Sequence, residues 1–269
     1  MRKSTRLSRT SNRSVQAADA RLVVMVKHPA PGRVKTRLAA AVGPRTAADL
    51  SRAFVRDLAA RLATLPYAVT WAYWPRGASF RALLGRRPAR WRCRLQRGRD
   101  LGERMAHAIR DELARGRGPV VVLGADAPHV STAALAEAAA RLTAGADLVL
   151  GPAIDGGYYL IGVKAWRQSL FRDIRWGSDG VFAATRRRAR RLGLRTHLLP
   201  PTFDVDEGTD LKRLAVLLAR GAVDLPRTAT ILARLGSRLA TLDRAAGAGG
   251  HSERVSDRRA VGGRSWKNG

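Results

Sequence analysis

Residues 119–128 read PVVVLGADAP, and this stretch decides the fold class. The apolar run Val120 to Leu123 predicts a strand that is buried on both faces. Strands of that kind belong to mostly parallel sheets that carry helices on both sides. Asp126 follows the run almost directly, so the sequence places a carboxylate at the carboxyl end of a central strand.

Six further β-rich runs surround this stretch and alternate with helical patterns. The runs cover residues 22–26, 68–74, 92–95, 147–150, 158–163 and 195–199. Pro44 opens one predicted helix, and Ser131 is the predicted N-cap of another. This order predicts an α/β fold: a single doubly wound, mostly parallel sheet with helices on both faces. Ligands of such folds bind at the carboxyl ends of the strands.

The chain has 269 residues, a formal net charge of +29 and 45% hydrophobic residues, which fits one enzyme-sized domain. We assign that domain to residues 21–243, between a basic extension at 1–20 and a Gly/Arg/Ser-rich tail at 244–269, both expected to be disordered. The charge suggests a nucleic-acid partner. However, its densest run, at 186–191 on a helix predicted to begin near Ser178, has no interleaved aromatic residues, so specific nucleic-acid binding is not expected.

Several other classes lack support. A single cysteine, Cys93, excludes an internal disulfide framework and a thiolate metal cluster, and we interpret it as a buried structural thiol. No apolar run approaches the ~20 residues of a membrane span. The basic N-terminus lacks the apolar core of a secretory signal. Dinucleotide, P-loop, HExxH and GxSxG motifs do not occur. We therefore expect a cytoplasmic protein without a membrane span.

The first strand runs into a basic loop, residues 27–35, that is stiffened by Pro29, Pro31 and Gly32. Lys35 and Arg37 then lie near the start of a helix, where backbone N–H groups also favour anions. This pattern predicts a phosphate site. A solvated basic loop is the alternative reading in an arginine-rich chain.

Carboxylates follow two of the predicted strands. Asp126 is placed to hold Mg²⁺ or Mn²⁺ against a diphosphate, although Asp also shapes ordinary turns. Asp204 and Asp206 alternate in an extended segment, so their side chains point to the same side and both could meet one cation. Alternatively, Asp206 or Thr209 caps the next helix.

Asp155, Gly156 and Gly157 lie between two predicted strands. They are typical of a tight turn. Paired glycines also allow backbone to approach a ligand closely, with Asp155 facing it. The pattern supports both interpretations.

Five segments, taken in order, resemble the GT-A-like nucleotide-diphospho-sugar transferase superfamily. They are VKHPAPGRVKTRLA at 26–39, DLGERM at 100–105, LGADAP at 123–128, LGPAIDGGYYLIG at 150–162 and FDVD at 203–206. Within the superfamily they are most similar to the bacterial arsenosugar-biosynthesis-type glycosyltransferases. The first loop also resembles that of 2-phospholactate guanylyltransferases.

The resemblance implies a metal-dependent glycosyltransferase that takes a nucleotide-diphospho-sugar and a small-molecule acceptor. It implies that Lys27, Lys35 and Arg37 contact phosphate and that the nucleotide lies near Asp100 and Arg104. Mg²⁺ or Mn²⁺ would be bound by Asp126 and Asp206, with Asp204 beside them. The donor or acceptor would contact Asp155, Gly156, Gly157 and Trp176. Lys35 would assist the leaving group, and Asp155 is a candidate general base. Nucleotidyl transfer with release of pyrophosphate is the alternative activity.

Overall fold

Seven strands form one sheet in the computed structural model, which describes residues 19–76, 79–116 and 118–239. The strands are β1 (Arg21–Lys27), β2 (Ala68–Trp74), β3 (Arg92–Leu95), β4 (Val120–Gly124), β5 (Leu148–Pro152), β6 (Tyr158–Val163) and β7 (Thr196–Leu198). Their order is β3-β2-β1-β4-β6-β5-β7. Only β6 runs antiparallel to its neighbours. The predicted mostly parallel sheet and all seven predicted strands are confirmed.

Eight α-helices occur in the described ranges. They are α1 (Thr36–Val42), α2 (Pro44–Ala63), α3 (Phe80–Leu84), α4 (Leu101–Leu113), α5 (Thr132–Thr143), α6 (Val181–Arg191), α7 (Gly208–Ala219) and α8 (Pro226–Leu235). Short 3₁₀ turns cover Gln168–Phe171 and Gly236–Leu239. The predicted helix start at Pro44 is confirmed, as is the Ser131 cap, whose Oγ accepts from the backbone N–H of Ala134 at 3.1 Å.

Alternation along β1 explains the layers on either side of the sheet. Leu22 and Val24 point toward one face, where they pack with α2 and α5. Val23 and Met25 point toward the other, where they pack with α4 and α6. A third apolar cluster joins α1, α2, α7 and α8 outside the sheet. Both faces are therefore covered, as the apolar strands require.

Three local predictions were wrong. Helix α6 begins at Val181 rather than near Ser178, because the Ser178 Oγ donates to the carbonyl of Arg175 at 2.8 Å and closes a turn. The N-cap of α7 is Glu207, not Asp206 or Thr209, and its backbone N–H donates to Asp210 Oδ2 at 3.0 Å. Cys93 is half-buried against the core, although this burial still raises the pKa of its thiol.

The two predicted disordered ends, apart from Asp19 and Ala20, lie outside the described residues. Within the ranges that the structure covers, no helix has the length and apolar character to cross a membrane.

Topology brings the predicted polar residues to one edge of the sheet. All strands except β6 point the same way, so their carboxyl ends share that edge. The segments that follow β1, β3, β4, β5 and β7 are residues 28–35, 96–100, 125–131, 153–157 and 199–207. This is where open α/β sheets bind ligands.

Candidate active site

A cavity of about 640 Å³ opens at this edge of the sheet. Eight of the predicted site residues line it: Lys27, Arg37, Arg104, Asp126, Asp155, Gly157, Trp176 and Asp204. A smaller cavity of about 130 Å³ is lined by Lys27, Lys35, Asp126 and Asp206 among others. Lys27 and Asp126 belong to both, so the two cavities are adjacent.

Lys35 lies at the centre of the charged part of the site. It is the N-cap of α1 and has a left-handed backbone (φ 49°). Its side chain is only 3% exposed, and its ammonium contacts the Oδ1 atoms of Asp126 and, at 2.8 Å, Asp206. Burial disfavours the charged form, but the two carboxylates outweigh it and raise the pKa of Lys35. Lys35 therefore remains an ammonium ion.

The two acidic segments are also joined through their backbones. The N–H of Val205 donates to the carbonyl of Asp126 at 2.9 Å. The N–H of Asp206 donates to Asp210 Oδ2 at 3.2 Å. The first bond fixes the loop after β4 beside the segment after β7, and the second fixes Asp206 relative to the start of α7. The backbones that carry the carboxylates are therefore held in place before any ligand binds.

Asp204 is half-buried, and its Oδ1 atom is shielded from solvent. Its Oδ1 has no hydrogen-bond partner among the described residues. Burial, followed by the negative charge of Asp126, raises the pKa of Asp204 to about 7. Asp206 and Asp155 act in the same direction, whereas Lys35 opposes them. One ammonium thus faces more carboxylate charge than it neutralises.

The donor chemistry of this group fits a hard divalent cation. Asp126, Asp204 and Asp206 offer oxygen ligands only, and Asp204 has an unpartnered oxygen. Within residues 19–76, 79–116 and 118–239, no three His, Cys, Asp or Glu side chains form a ready-made metal cage. Mg²⁺ is commonly held by one or two carboxylates together with substrate phosphates and water, so a complete protein cage is not required.

Asp155 takes part in a tight turn and also lines the larger cavity. Its Oδ1 accepts from the backbone N–H of Gly157 at 3.0 Å, which is a turn interaction, and its side chain lines the larger cavity. Gly156 has φ +86°, and a Cβ there would lie 1.9 Å from the carbonyl oxygen of Asp179. Gly156 is therefore needed for close packing, while Gly157 and Asp155 face the cavity.

The predicted nucleotide contacts Arg104 and Asp100 differ in position, and Trp176, a predicted donor or acceptor contact, lies in the cavity with Arg104. Arg104 lines the cavity, with its guanidinium 4.3 Å from the ring centroid of Trp74. Trp176 packs so closely on Gly102 that a Cβ there would lie 1.9 Å from the indole nitrogen. Asp100 is outside the described lining of the cavity, and its Oδ1 accepts from the N–H of Glu103 at 2.8 Å as the cap of α4.

Arg37 lies at the mouth of the site. Its side chain is 75% exposed, and Nη1 lies 3.4 Å from Glu207 Oε1. Exposed pairs of this kind contribute little to stability, so Arg37 can exchange Glu207 for an anionic ligand at low cost.

Sequence reasoning missed several residues of the larger cavity. Trp74 ends β2, and Gln96 directly follows β3. The Nε2 of Gln96 donates to the carbonyls of Ala72 at 2.7 Å and Val26 at 3.2 Å. A polar residue immediately after a strand was the available signal for Gln96, whereas Lys27, the last residue of β1, was identified through the family resemblance. Asp179 also lines the cavity, but no pattern in the sequence singles it out.

His129 connects two of the segments that form the site. Its Nε2 lies 2.9 Å from Thr202 Oγ1, and its ring stacks on Phe203 with centroids 4.2 Å apart. Burial, helped by the positive charge of Arg61, lowers the pKa of His129 to about 4. A neutral imidazole therefore connects the loop after β4 to the segment that carries Asp204.

We expect this neutral histidine to make the fold acid-sensitive. Between pH 6.5 and 4 the unfolded chain binds a proton on His129 that the folded chain does not, so stability falls as the pH falls. The loss from pH 7 to pH 5 should be about 2 kcal/mol. The raised pKa of Asp204 acts in the opposite direction over the same pH range, so the His129 contribution is read as a difference. Urea unfolding should show that the change in stability from pH 7 to pH 5 is about 2 kcal/mol less favourable in the native chain than in His129→Gln. His107→Gln, at an exposed histidine, is the control. An equal pH dependence in His129→Gln would contradict the assignment.

Comparisons with known proteins agree with this architecture. A family model described as "Uncharacterized protein conserved in bacteria (DUF2064)" matches residues 57–178. No curated protein matches the chain. A crystal structure from Desulfovibrio desulfuricans G20, described as a "putative nucleotide-diphospho-sugar transferase", is 34% identical, with a TM-score of 0.74 over 83% of this chain and 98% of that one.

A second solved structure is a cytidylyltransferase from Leptospira borgpetersenii serovar Hardjo-bovis (strain JB197). It is 10% identical, with a TM-score of 0.50 over 83% of this chain and 96% of that chain, so the similarity is one of fold alone. The fold class predicted from the sequence is confirmed by the Desulfovibrio structure.

Proposed function

The chain belongs to one family with the Desulfovibrio protein, within the nucleotide-diphospho-sugar transferase superfamily, and from this premise we propose that it is a metal-dependent glycosyltransferase. Its donor would be a nucleotide-diphospho-sugar, and its acceptor a small molecule with a nucleophilic hydroxyl. Membership of the arsenosugar-biosynthesis-type family and a cytoplasmic site of action are finer parts of the same proposal.

One observation carries the proposal: a buried ammonium is held between two carboxylates beside a cavity that is lined by further cations. A diphosphate with its divalent cation carries charges of both signs. Lys27 and Arg37 suit the phosphate oxygens, whereas Asp126 and Asp206 suit the cation. Four carboxylates would repel an anion that binds without a cation. The mixed charges therefore favour a metal-diphosphate ligand.

The leaving group would be stabilised by charges that are already in position. As the bond between the anomeric carbon and the diphosphate breaks, negative charge grows on the diphosphate oxygens. Lys35 is already held by its two carboxylate partners, so it would need little reorganisation to stabilise this growing negative charge. When bound by Asp126 and Asp206, with Asp204 beside them, Mg²⁺ or Mn²⁺ would neutralise a further part of that charge.

Asp155 is the candidate base for the acceptor. The hydrogen bond from Gly157 uses Oδ1, so we assign proton uptake to Oδ2. The acceptor oxygen forms its bond to the anomeric carbon and gives its proton to Asp155 while the diphosphate departs. General base catalysis of this type is worth about 10²- to 10⁴-fold.

Nucleotidyl transfer is the second candidate, favoured by the number of cations near the cavity. Lys27, Lys35, Arg37 and Arg104 together would suit a triphosphate, which carries more negative charge than a diphosphate. In this reaction a phosphorylated substrate attacks the α-phosphate and pyrophosphate leaves.

Product analysis distinguishes the two activities. We expect the purified chain with Mn²⁺ to hydrolyse a nucleotide sugar slowly, with water in place of the acceptor hydroxyl, to a nucleoside diphosphate and the free sugar. It should release no pyrophosphate from a panel of nucleoside triphosphates and sugar phosphates. Asp155→Asn should slow the sugar transfer about 10²-fold or more while donor binding, read by thermal shift, is unchanged. Metal-dependent release of pyrophosphate would instead establish nucleotidyl transfer.

A further inference from the structure

A second basic cavity lies between α2 and α8, away from the candidate active site. We call it the α2–α8 groove. Its volume is about 570 Å³, and it shares no lining residue with the larger active-site cavity. Its charged lining consists of Asp49, Arg52, Arg56, Arg227, Arg234 and Arg238.

Helical spacing explains why these arginines converge. On α2, positions 49, 52 and 56 are three and four residues apart and therefore share one face. On α8 and the turn after it, positions 227, 234 and 238 share a face for the same reason. The two helices pack against each other through the third apolar cluster, so the two basic faces become the walls of one groove.

Two of the guanidinium groups are held in position by the protein. Arg56 Nε donates to the carbonyl of Leu83 at 3.2 Å. Arg227 Nη1 lies 3.3 Å from Oδ1 of the buried Asp57, which also accepts from the N–H of Thr228. Arg52 is near Asp49, at 4.0 Å, and near the carbonyl of Pro29, at 3.5 Å. The five lining arginines outnumber the two carboxylates beside them, Asp49 in the lining and Asp57 next to Arg227, so the groove carries a net positive charge.

The groove differs from the arginine run on α6. Arg186 and Arg187 are exposed on a single helix, where water screens each charge. In the groove, cations from two elements face one concave space, and such clefts concentrate the electrostatic potential. Planar guanidinium groups bind phosphate in a bidentate manner. The groove is distinguished as a site because arginines from two elements face one space, and not because of their number.

We propose that the α2–α8 groove is a second binding site, for a small molecule that carries an oligophosphate. Several linked phosphates match the charge and the volume of the groove. None of the described lining residues is aromatic, so the groove has no platform on which a base could stack, and single-stranded nucleic acid is disfavoured as its ligand. The inference is independent of the proposed transfer reaction, because it concerns a different cavity.

Inorganic tripolyphosphate is the probe that tests the groove. The full chain is titrated by calorimetry at about 150 mM salt, where the Debye length is about 8 Å. This salt screens the long-range attraction between the basic chain and the anionic probe. We expect Arg52→Gln/Arg234→Gln to weaken tripolyphosphate binding at one class of sites at least tenfold. Arg186→Gln/Arg187→Gln, with the same loss of charge on α6, should change it less than twofold. Arg234→Gln alone, which spares the contact of Arg52 with Pro29 in the basic loop, should bind nucleotide sugars as the native chain does.

A chemical measurement tests the same site without substitutions. Tripolyphosphate should protect Arg52 and Arg234 from phenylglyoxal, read by mass spectrometry, and leave Arg186 unprotected. Equal effects of the groove and α6 variants, or an absence of protection, would overturn the proposal. Tighter binding of a random RNA 20-mer than of tripolyphosphate, lost in the groove variant, would also overturn it and identify a nucleic-acid surface.

Discussion

Lys35→Met is expected to destabilise the fold by about 3 kcal/mol and to lower kcat/KM at least about 10²-fold. Removing one member of a buried ion pair typically costs about 3–5 kcal/mol. The low end applies here because the side chains of Asp126 and Asp206 are 54% and 44% exposed, so water solvates part of the charge that Lys35 leaves behind. Methionine keeps an unbranched apolar side chain but loses the ammonium, which also lies 5.8 Å from the centroid of the Phe54 ring.

Two further variants identify the cause of the loss. Lys27→Met removes an exposed cation from the same loop and should change stability by less than about 0.5 kcal/mol. Lys35→Met/Asp206→Asn removes one of the two opposed carboxylates and should recover about 1 kcal/mol. Urea unfolding at pH 7.5 measures all three. If Lys35→Met were as stable as the native chain, the ammonium would not be the charge that holds these carboxylates together.

The activity of Lys35→Met distinguishes a structural from a chemical role. A purely structural loss would be repaired by conditions that refold the protein, such as a stabilising osmolyte. A leaving-group role would leave kcat low in the fully folded variant. We expect the second outcome, because the ammonium lies beside the cavity where the diphosphate would bind.

Sequence patterns predicted the fold well because local and global preferences agree in this chain. The apolar runs of β1 and β4 are short, continuous and bounded by polar residues, and no other element class fits them. Ser131 caps α5 as its spacing predicts. Parallel pairing then follows from the helices between the strands, and it brings the polar ends together at one edge.

The site was less predictable, because its contacts depend on tertiary structure. Lys35 and Asp206 are 171 positions apart, and nothing local in either segment indicates that they pair. Lys35 was predicted to bind phosphate. In the structure its ammonium contacts the carboxylates of Asp126 and Asp206. Asp100 shows the same limit, since it caps α4 in the structure and a helix cap and a nucleotide contact look the same in sequence.

The α2–α8 groove shows why composition hides such features. With 50 basic residues in the chain, an arginine at position 52 or 234 attracts no attention in the sequence. Only the packing of α2 on α8 turns two separate basic faces into one concave site.

Asp126→Asn should abolish the metal-dependent part of the thermal shift produced by the donor and lower kcat/KM about 10³-fold, equivalent to about 4 kcal/mol of transition-state stabilisation. Asn keeps the shape of the side chain but removes the charge that would hold the cation. A ligand stabilises a fold by RT ln(1 + [L]/Kd), so when the metal no longer binds, the shift with Mn²⁺ and nucleotide sugar should fall to the value seen without metal.

The stability of the unliganded Asp126→Asn variant should change little, and this separates the prediction from that for Lys35. Loss of the Asp126 charge removes one partner of Lys35, but it also relieves the repulsion that raises the pKa of Asp204. Asp206 still pairs with the ammonium at 2.8 Å. The two effects oppose each other, so we expect a net change of less than about 1 kcal/mol.

Asp100→Asn is the matched control, because it removes one carboxylate near the same edge while Asn still caps α4. Its thermal shift with Mn²⁺ and donor should equal that of the native chain, since Asp100 lies outside the described lining of the cavity. A normal metal-dependent shift in Asp126→Asn would remove Asp126 from the metal site. A reduced shift in Asp100→Asn would restore the role in nucleotide binding that the family resemblance gives to Asp100.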